Sequence, residues 1–138
     1  SIVLADIPGL IEGASEGRGL GFKFLQHVER TQLLMHVIEI PDILDETPDQ
    51  VSEKVIQSYT AIREELSRYG RTLPDKQEMI CINKIDKLPE DSRTDYVEAI
   101  EKILKQISKP YVFVSAQDEL GLNGLKKILF DTLVLQAN

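Results

Sequence analysis

The hydrophobic residues of this 138-residue chain form short continuous runs that alternate with longer stretches of helical spacing. The short runs are rich in β-branched residues and are flanked by turn-forming residues, which is typical of buried strands. Helices are predicted in the stretches between them. Strands that alternate with helices indicate an α/β fold with a mostly parallel sheet and helices on both faces. The predicted strands are Ile2–Ile7, Leu33–Ile40, Met79–Asn83 and Tyr111–Ser115.

The predicted helices are recognised by apolar residues that recur every three or four positions and therefore share one face. The first two run from about Gly21 to Arg30 and from about Gln50 to Tyr69. The other two begin near Ser92 and at about Asn123. We expect Pro41–Pro48 to be an acidic loop and the apolar helix faces to pack against the sheet. The residues expected to face inward are Phe24, Leu25 and Val28; Val51, Val55, Tyr59, Ile62, Leu66 and Tyr69; Val97, Ile100, Leu104 and Ile107; and Leu125, Ile128, Leu129 and Leu133.

The tetrapeptide Asn83-Lys84-Ile85-Asp86 follows the third apolar run. An ionised Asp86 carboxylate can accept both adjacent donors of guanine, N1–H and N2–H₂, whereas adenine presents an acceptor at N1. The Asn83 amide can brace neighbouring loops, and the aliphatic stem of Lys84 can cover an apolar face. A polar turn after a strand is the simpler interpretation of four residues, so their position along the chain has to decide.

Two further segments follow apolar runs in the same way. Asp6-Ile7-Pro8-Gly9 ends the first run, where an aspartate can hold Mg²⁺, usually through water, and the Gly9 N–H can approach a terminal phosphate. Ser115-Ala116 ends the last run, where a small residue lets a backbone N–H reach the O6 edge of guanine. Each segment alone could be an ordinary turn. Ligands of open α/β sheets bind beyond the carboxyl ends of the strands, so the three segments together predict one guanine-nucleotide site.

Composition and charge narrow the class of protein. The net charge of −7 and the pI near 4.8 provide no basic signature for nucleic-acid binding. The length fits one domain, and no apolar run approaches the roughly 20 residues of a membrane span. Cys81 lies in a predicted buried strand and is interpreted as a small hydrophobe in a reducing compartment, which favours a cytoplasmic location. His27 and His36 are too isolated for a metal site and are expected to be structural.

In these motifs the chain resembles the GTP-binding domain of the Obg family. The resemblance is carried by DIPGLIEGASEGRGLGFKFLQHVERTQLLMHVIE (Asp6–Glu39), by NKID (Asn83–Asp86) and by Ser115-Ala116, and it extends essentially from end to end. It implies a three-layer, Ras-like P-loop GTPase domain that binds GTP or GDP with Mg²⁺ near Asp6. It also implies slow GTP hydrolysis and a role in assembly of the large ribosomal subunit and in growth or stress control.

Parts of the family pattern are missing from the chain. No G-x-x-x-x-G-K-[ST] loop occurs in it, nor the threonine-bearing loop of the first switch region. We therefore expect residues 1–138 to be the C-terminal part of an Obg-type G domain, truncated at the N-terminus and inactive alone. In the Ras-like arrangement the strand before the phosphate loop lies between the Ile2–Ile7 and Leu33–Ile40 strands. Without it, the chain is expected to close the gap, to form a strand-swapped dimer, or to depend on upstream residues.

The segment after Gly9 bears on hydrolysis. Ras-like GTPases have a water-orienting glutamine directly after this glycine, whereas here Leu10 and Ile11 follow. Glu12 and Glu16 are nearby carboxylates, but the group that positions water stays unknown. The glycine-rich stretch Gly13–Gly21 has G-x-G-x-G rather than dinucleotide-type spacing, and it is interpreted as a mobile segment that the γ-phosphate orders.

Two other functions also fit the sequence. The chain could be a degenerate, non-catalytic G domain that serves as a protein-interaction module. It could also belong to a different α/β nucleotide enzyme, in which NKID arose by chance. A phosphate-binding loop upstream in the parent protein would distinguish a GTPase from the interaction module. Competition of bound GDP by GMP but not by AMP would exclude the different nucleotide enzyme.

Overall fold

The computed structural model describes residues 2–4, 30–69 and 76–136, apart from the side chains of residues 69, 135 and 136. The chain divides into two compact units. One comprises Ser1–Gln32 and Thr60–Lys76, and the other comprises Leu33–Tyr59 and Gln77–Asn138.

The larger unit contains a parallel sheet of three strands in the order β1-β2-β3. Strand β1 (Leu33–Glu39) pairs with β2 (Gln77–Asn83), which pairs in turn with β3 (Tyr111–Phe113). Helix α2 (Arg93–Ile107) connects β2 to β3, and α3 (Leu122–Gln136) follows β3. Helix α1 (Pro48–Tyr69) connects β1 to β2. The predicted α/β fold with a parallel sheet is confirmed.

One face of this sheet carries the main hydrophobic core. Alternate residues of a strand share a face, so the buried isoleucines of β1 and β2 point to the same side. Most of the helix residues packed there are those that the helical spacing predicted, but Tyr96 of the helix Arg93–Ile107 was not predicted and is buried, with its hydroxyl donating to Glu46 O at 2.8 Å. The predicted Val97 and Ile107 are only half-buried against the core. The core consists of Ile38, Ile40, Val51, Val55, Tyr59, Ile80, Ile82, Leu88, Tyr96, Ile100 and Leu104.

The opposite face of the sheet is covered near β3 by α3. Cys81 is opposite Val112 in the register, and both alternate away from the main core. A Cβ added to Gly124 of α3 would lie 3.6 Å from Val112 Cγ2, which places the helix in contact with this face. The predicted inward residues of α3 are half-buried. Burial raises the pKa of the Cys81 thiol to about 11, so it is neutral at physiological pH, as a small hydrophobe would be.

Helix α1 begins at Pro48, two residues before the predicted start at Gln50. Thr47 N–H donates to Gln50 Oε1 at 2.9 Å, and Gln50 N–H donates to Thr47 Oγ1 at 3.3 Å. This reciprocal pair is a capping box, and proline is favoured at the first helical position because its missing N–H has no partner to lose. The loop prediction was therefore wrong for Pro48.

Strand β3 is shorter than the predicted Tyr111–Ser115 strand. Val114 N–H still donates to Ile82 O at 2.8 Å, but Ser115 forms an isolated antiparallel bridge with Leu120. The chain therefore leaves the parallel ladder directly after Val114.

The smaller unit gives a different outcome for the first predicted strand. Ile2, Val3 and Leu4 form no strand, and their relative exposures are 46%, 93% and 72%. The prediction of a buried strand is wrong for these residues, because a strand needs a ladder partner and the described residues provide none for them. Residues 5–7, the predicted helix from Gly21 to Arg30 except for Arg30 itself, and the Gly13–Gly21 stretch lie outside the described residues.

Other contacts of the smaller unit lie within a helix or join segments that are distant in sequence. Arg68 Nη1 lies 3.0 Å from Glu65 Oε1, and Lys76 Nζ donates to Thr31 O at 2.7 Å. Leu66 is buried as predicted, whereas Ile62 is half-buried. None of the described helices combines the length and the apolar character needed to cross a membrane.

Candidate nucleotide-binding site

The carboxyl end of β2 places the NKID residues at the edge of the sheet. Asn83 is the last residue of the strand, and its carbonyl accepts a hydrogen bond from Ile40 N–H at 2.9 Å. Lys84 has φ 67° and ψ 36°, a left-handed conformation that is uncommon outside glycine. This residue turns the chain out of the strand, and the 3₁₀ turn Ile85–Lys87 then presents Asp86.

A buried serine holds the Asp86 carboxylate. Ser115 is fully buried, and its Oγ donates to Asp86 Oδ1 at 2.8 Å. The same Oγ accepts a hydrogen bond from Asp118 N–H at 3.1 Å. Because each carboxylate oxygen can accept more than one hydrogen bond, the orientation is fixed while acceptor capacity remains for a ligand.

A hydrogen bond to the Asn83 side chain and a backbone hydrogen bond also join the ends of β2 and β3. Ala116 N–H donates to Asn83 Oδ1 at 3.1 Å, and Ile85 N–H donates to Val114 O at 3.2 Å. Asn83, Asp86, Ser115 and Ala116 are therefore brought together, although they come from two separate segments of the chain. Asn83 braces the neighbouring loop, as its amide was expected to do.

The structure changes the expected part played by Ser115. Its N–H donates to Leu120 O, and its carbonyl accepts from Leu120 N–H, both at 3.0 Å, so the backbone of Ser115 closes the loop. Its hydroxyl, which sequence reasoning missed, is the group that contacts Asp86. Any backbone donor to a guanine O6 is then left to Ala116, which would have to share its N–H with Asn83. The sequence could place Ser115 near Asp86, since both residues follow neighbouring strands of a parallel sheet, but it could not assign the contact to the hydroxyl.

The rim of the site contains two lysines that form ion pairs with acidic residues. One acidic residue ends β1, and the other lies in the loop after it. Lys84 Nζ forms an ion pair with Glu39, and Lys87 Nζ lies 3.5 Å from Asp42 Oδ1. The hydrogen bond and charge of Lys84 lower the pKa of Glu39, and the same contact raises the pKa of Lys84. Both side chains of the first pair are exposed, so each ion pair contributes little to folding stability.

The phosphate and metal side of the predicted site lies outside the described residues. This holds for Asp6, Ile7, Pro8 and Gly9, whose roles toward Mg²⁺ and phosphate stay predictions. In residues 2–4, 30–69 and 76–136, no group of three or more histidine, cysteine, aspartate or glutamate residues is placed to hold a metal ion. His36 stacks on Tyr59 with ring centroids 5.2 Å apart, whereas His27 is not described.

Comparisons with known proteins match the sequence along most of the chain. A family model described as "50S ribosome-binding GTPase" matches residues 1–84. The chain is 42% identical over 132 residues to GTPase Obg of Persephonella marina, covering 94% of this chain and 35% of that protein. GTPase Obg of Desulfovibrio desulfuricans is 39% identical over 129 residues, with coverage of 94% and 32%.

GTPase Obg of Rickettsia bellii is 39% identical over 131 residues, with coverage of 95% of this chain and 36% of that protein. The chain thus spans about a third of the length of the curated relatives it matches. The resemblance to the Obg family is confirmed by these matches. On the family match, which reaches from the first residue to Lys84 of the NKID motif, the chain belongs to the 50S ribosome-binding GTPases.

Proposed function

We propose that this chain supplies the guanine-reading part of the nucleotide site of a GTPase. The observation that supports this most directly is the contact from Ser115 Oγ to Asp86 Oδ1 at 2.8 Å, which orients a carboxylate at the carboxyl edge of the sheet. Asn83 and Ala116 join the same two loops at 3.1 Å. Because the serine uses only part of the acceptor capacity of the Asp86 carboxylate, the carboxylate can still accept hydrogen bonds from a ligand.

Asp86 would select guanine by hydrogen-bond polarity. Its carboxylate accepts N1–H and N2–H₂ of guanine, but it would face the lone pair of adenine N1. A site built to bind such donors discriminates against analogues without them by roughly 10⁴–10⁵ in favourable cases. Lys84, Ser115 and Ala116 complete the base side, Ser115 through Asp86 and Ala116 through its N–H.

The longer protein would hydrolyse GTP slowly and act with the large ribosomal subunit in its assembly and in growth or stress control. The relatives named GTPase Obg and the family description support this proposal. Asp6 would hold Mg²⁺, and Gly9 with Ile7 and Pro8 would approach the terminal phosphate. Because this chain has a net charge of −7, contacts to ribosomal RNA would come from elsewhere in the longer protein. The single thiol, neutral and buried, agrees with a cytoplasmic location.

The 138-residue chain alone would bind GTP poorly, because a phosphate-binding loop and its lysine are not among its residues. As proposed from the sequence, residues 1–138 would be part of a G domain rather than a complete one. A strand-swapped dimer of the isolated chain also remains a proposal, and light scattering would show whether a second copy is bound.

The proposed function is tested by competition for labelled GDP bound to the full-length protein. We expect GMP to displace the GDP and AMP at the same concentration to leave it bound, because only guanine satisfies Asp86. Equal displacement by both nucleotides would indicate a different α/β nucleotide enzyme. Absence of any GDP binding would favour the non-catalytic interaction module.

Replacing Ser115 with alanine should weaken GMP binding by about 10-fold or more. The change removes a hydrogen bond to a charged group, which is worth about 1.5–3 kcal/mol, and it leaves Asp118 N–H without its acceptor. The measurement is the dissociation constant of GMP with the full-length protein. Ser52→Ala is the matched control, because Ser52 is also buried but donates to Asp49 O in α1. Equal losses for the two variants would contradict the orienting role of Ser115.

A further inference from the structure

The ion pair between Lys84 and Glu39 connects the ends of two neighbouring strands beside the candidate site. Glu39 is the last residue of β1 and lies opposite Asn83 in the β1–β2 register. Lys84 follows Asn83, so its ammonium reaches back across the strand ends to Glu39. The pair therefore determines where the lysine charge sits at the rim of the guanine site.

A second carboxylate, that of Asp86, lies two residues after Lys84, in the 3₁₀ turn that Lys84 caps. After Glu39, Asp86 is the next charge that raises the pKa of Lys84, and Asp42 contributes less. Asp86 is the carboxylate that guanine would need as an acceptor. An ammonium that moved from Glu39 to Asp86 would occupy the lone pairs that the N1–H and N2–H₂ donors require, since an ammonium offers only donors.

We propose that Glu39 is a positioning residue of the guanine site, which keeps the Lys84 ammonium away from Asp86. This inference rests on the proposed function. Glu39 makes no contact with the base in this arrangement and acts only through the lysine. By holding the ammonium at the end of β1, it leaves the Asp86 carboxylate open to guanine and directs the Lys84 stem toward the β1 side of the rim.

A neighbouring pair provides a matched comparison. Lys87 belongs to the same 3₁₀ turn as Asp86, and its ammonium lies 3.5 Å from Asp42 Oδ1 and 3.5 Å from Ile40 O. Removing the charge of Asp42 changes the net charge of the rim by the same amount as removing that of Glu39. Because Lys87 keeps the Ile40 carbonyl as an acceptor, its ammonium is not released.

The test measures the affinity of the full-length protein for guanosine, which has no phosphate charge, by displacement of labelled GDP. Glu39→Gln should weaken guanosine binding by about 2- to 5-fold, the range expected for an exposed ion pair. Asp42→Asn should leave it unchanged, and Glu39→Asp should restore part of the loss. An unchanged thermal unfolding midpoint would show that the variants are folded.

The decisive comparison uses Lys84→Met, which keeps an apolar stem but removes the ammonium. In that background, Glu39→Gln should cause no further loss, because no charge is left to move to Asp86. An equal loss in both backgrounds, or an effect of Asp42→Asn as large as that of Glu39→Gln, would overturn the inference. If the unaltered protein shows no preference for guanosine over adenosine, the proposed function itself fails, so the two failures are distinguishable.

Discussion

Asp86→Asn should weaken GMP binding to the full-length protein by about 10²- to 10⁴-fold, because two hydrogen bonds to a charged group, worth about 1.5–3 kcal/mol each, are lost or weakened. The same change should improve binding of XMP. Xanthine has a carbonyl where guanine has its amino group, and an asparagine amide can donate to that carbonyl. Dissociation constants for GMP, XMP and AMP measured on one preparation would show the exchange of preference.

The change from Asp86 to asparagine keeps the shape of the side chain, so Oδ1 can still accept the hydrogen bond from Ser115. Asp118→Asn is the matched control, because Asp118 lies in the adjacent loop and is exposed. It should alter GMP binding by less than about 2-fold, as expected of an exposed charge. If Asp86→Asn retained the original preference for GMP over both other nucleotides, another residue would have to read the base.

Gly121→Ala should destabilise the fold by about 2–4 kcal/mol, more than an ordinary surface substitution. Gly121 has φ +74°, and a Cβ built there would lie 2.2 Å from the Phe113 carbonyl oxygen. The left-handed conformation alone costs an alanine roughly 1–2 kcal/mol, and the backbone would also have to move away from β3. Urea denaturation monitored by circular dichroism gives the free energy of unfolding that checks this.

Gly124→Ala, three residues further along the chain, should slightly stabilise the fold, in contrast to Gly121→Ala. Its Cβ would lie 3.6 Å from Val112 Cγ2, which is ordinary van der Waals contact, inside a helix. Alanine is favoured over glycine there by about 0.5–1 kcal/mol, so this variant should be slightly more stable. If both variants had the same stability, the close approach of Gly121 to Phe113 would not be a real constraint. Because Gly121 follows the Ser115–Leu120 bridge, Gly121→Ala should also weaken GMP binding.

Local patterns predicted most of the described fold. The apolar runs predicted both strands Leu33–Glu39 and Gln77–Asn83, but the expected burial holds mainly for β2, because in β1 only Leu34 and Ile38 are buried and Val37 is exposed. The apolar face of α1 repeats often enough to define a helix. The spacing of Thr47 and Gln50 is that of a capping box and indicates where α1 begins. The acidic, turn-rich composition of this segment instead favoured a loop that included Pro48.

Non-local features of the site could be predicted only in part. The rule that ligands bind beyond the strand ends brought Asn83 and Ser115 to one edge. It could not specify that the Ser115 hydroxyl, rather than its N–H, faces the site, because that depends on the bridge to Leu120. The pairing of Glu39 with Lys84 depends on the register of β1 against β2, which composition does not encode.

Apolar composition misled the interpretation at the start of the chain. Ile2, Val3 and Leu4 have the residue types of a buried strand, yet they are exposed. Hydrophobicity indicates which segments gain by burial, but a strand also requires a free edge beside it. An apolar, β-branched run is therefore not enough to predict a strand, because the strand also depends on a pairing partner that the run itself does not contain.

The Ser115 hydroxyl oxygen accepts a hydrogen bond from the Asp118 N–H, and the same hydroxyl donates one to Asp86, so two hydrogen bonds are linked in series through one oxygen atom. Bonds in such a series polarise one another. Coupling free energies are reciprocal. If an ordered loop strengthens binding of the purine, bound purine must therefore stabilise the ordered loop by the same free energy. The backbone of residues 117–119, which has no proposed contact with the base, is thus a second place where affinity can be adjusted.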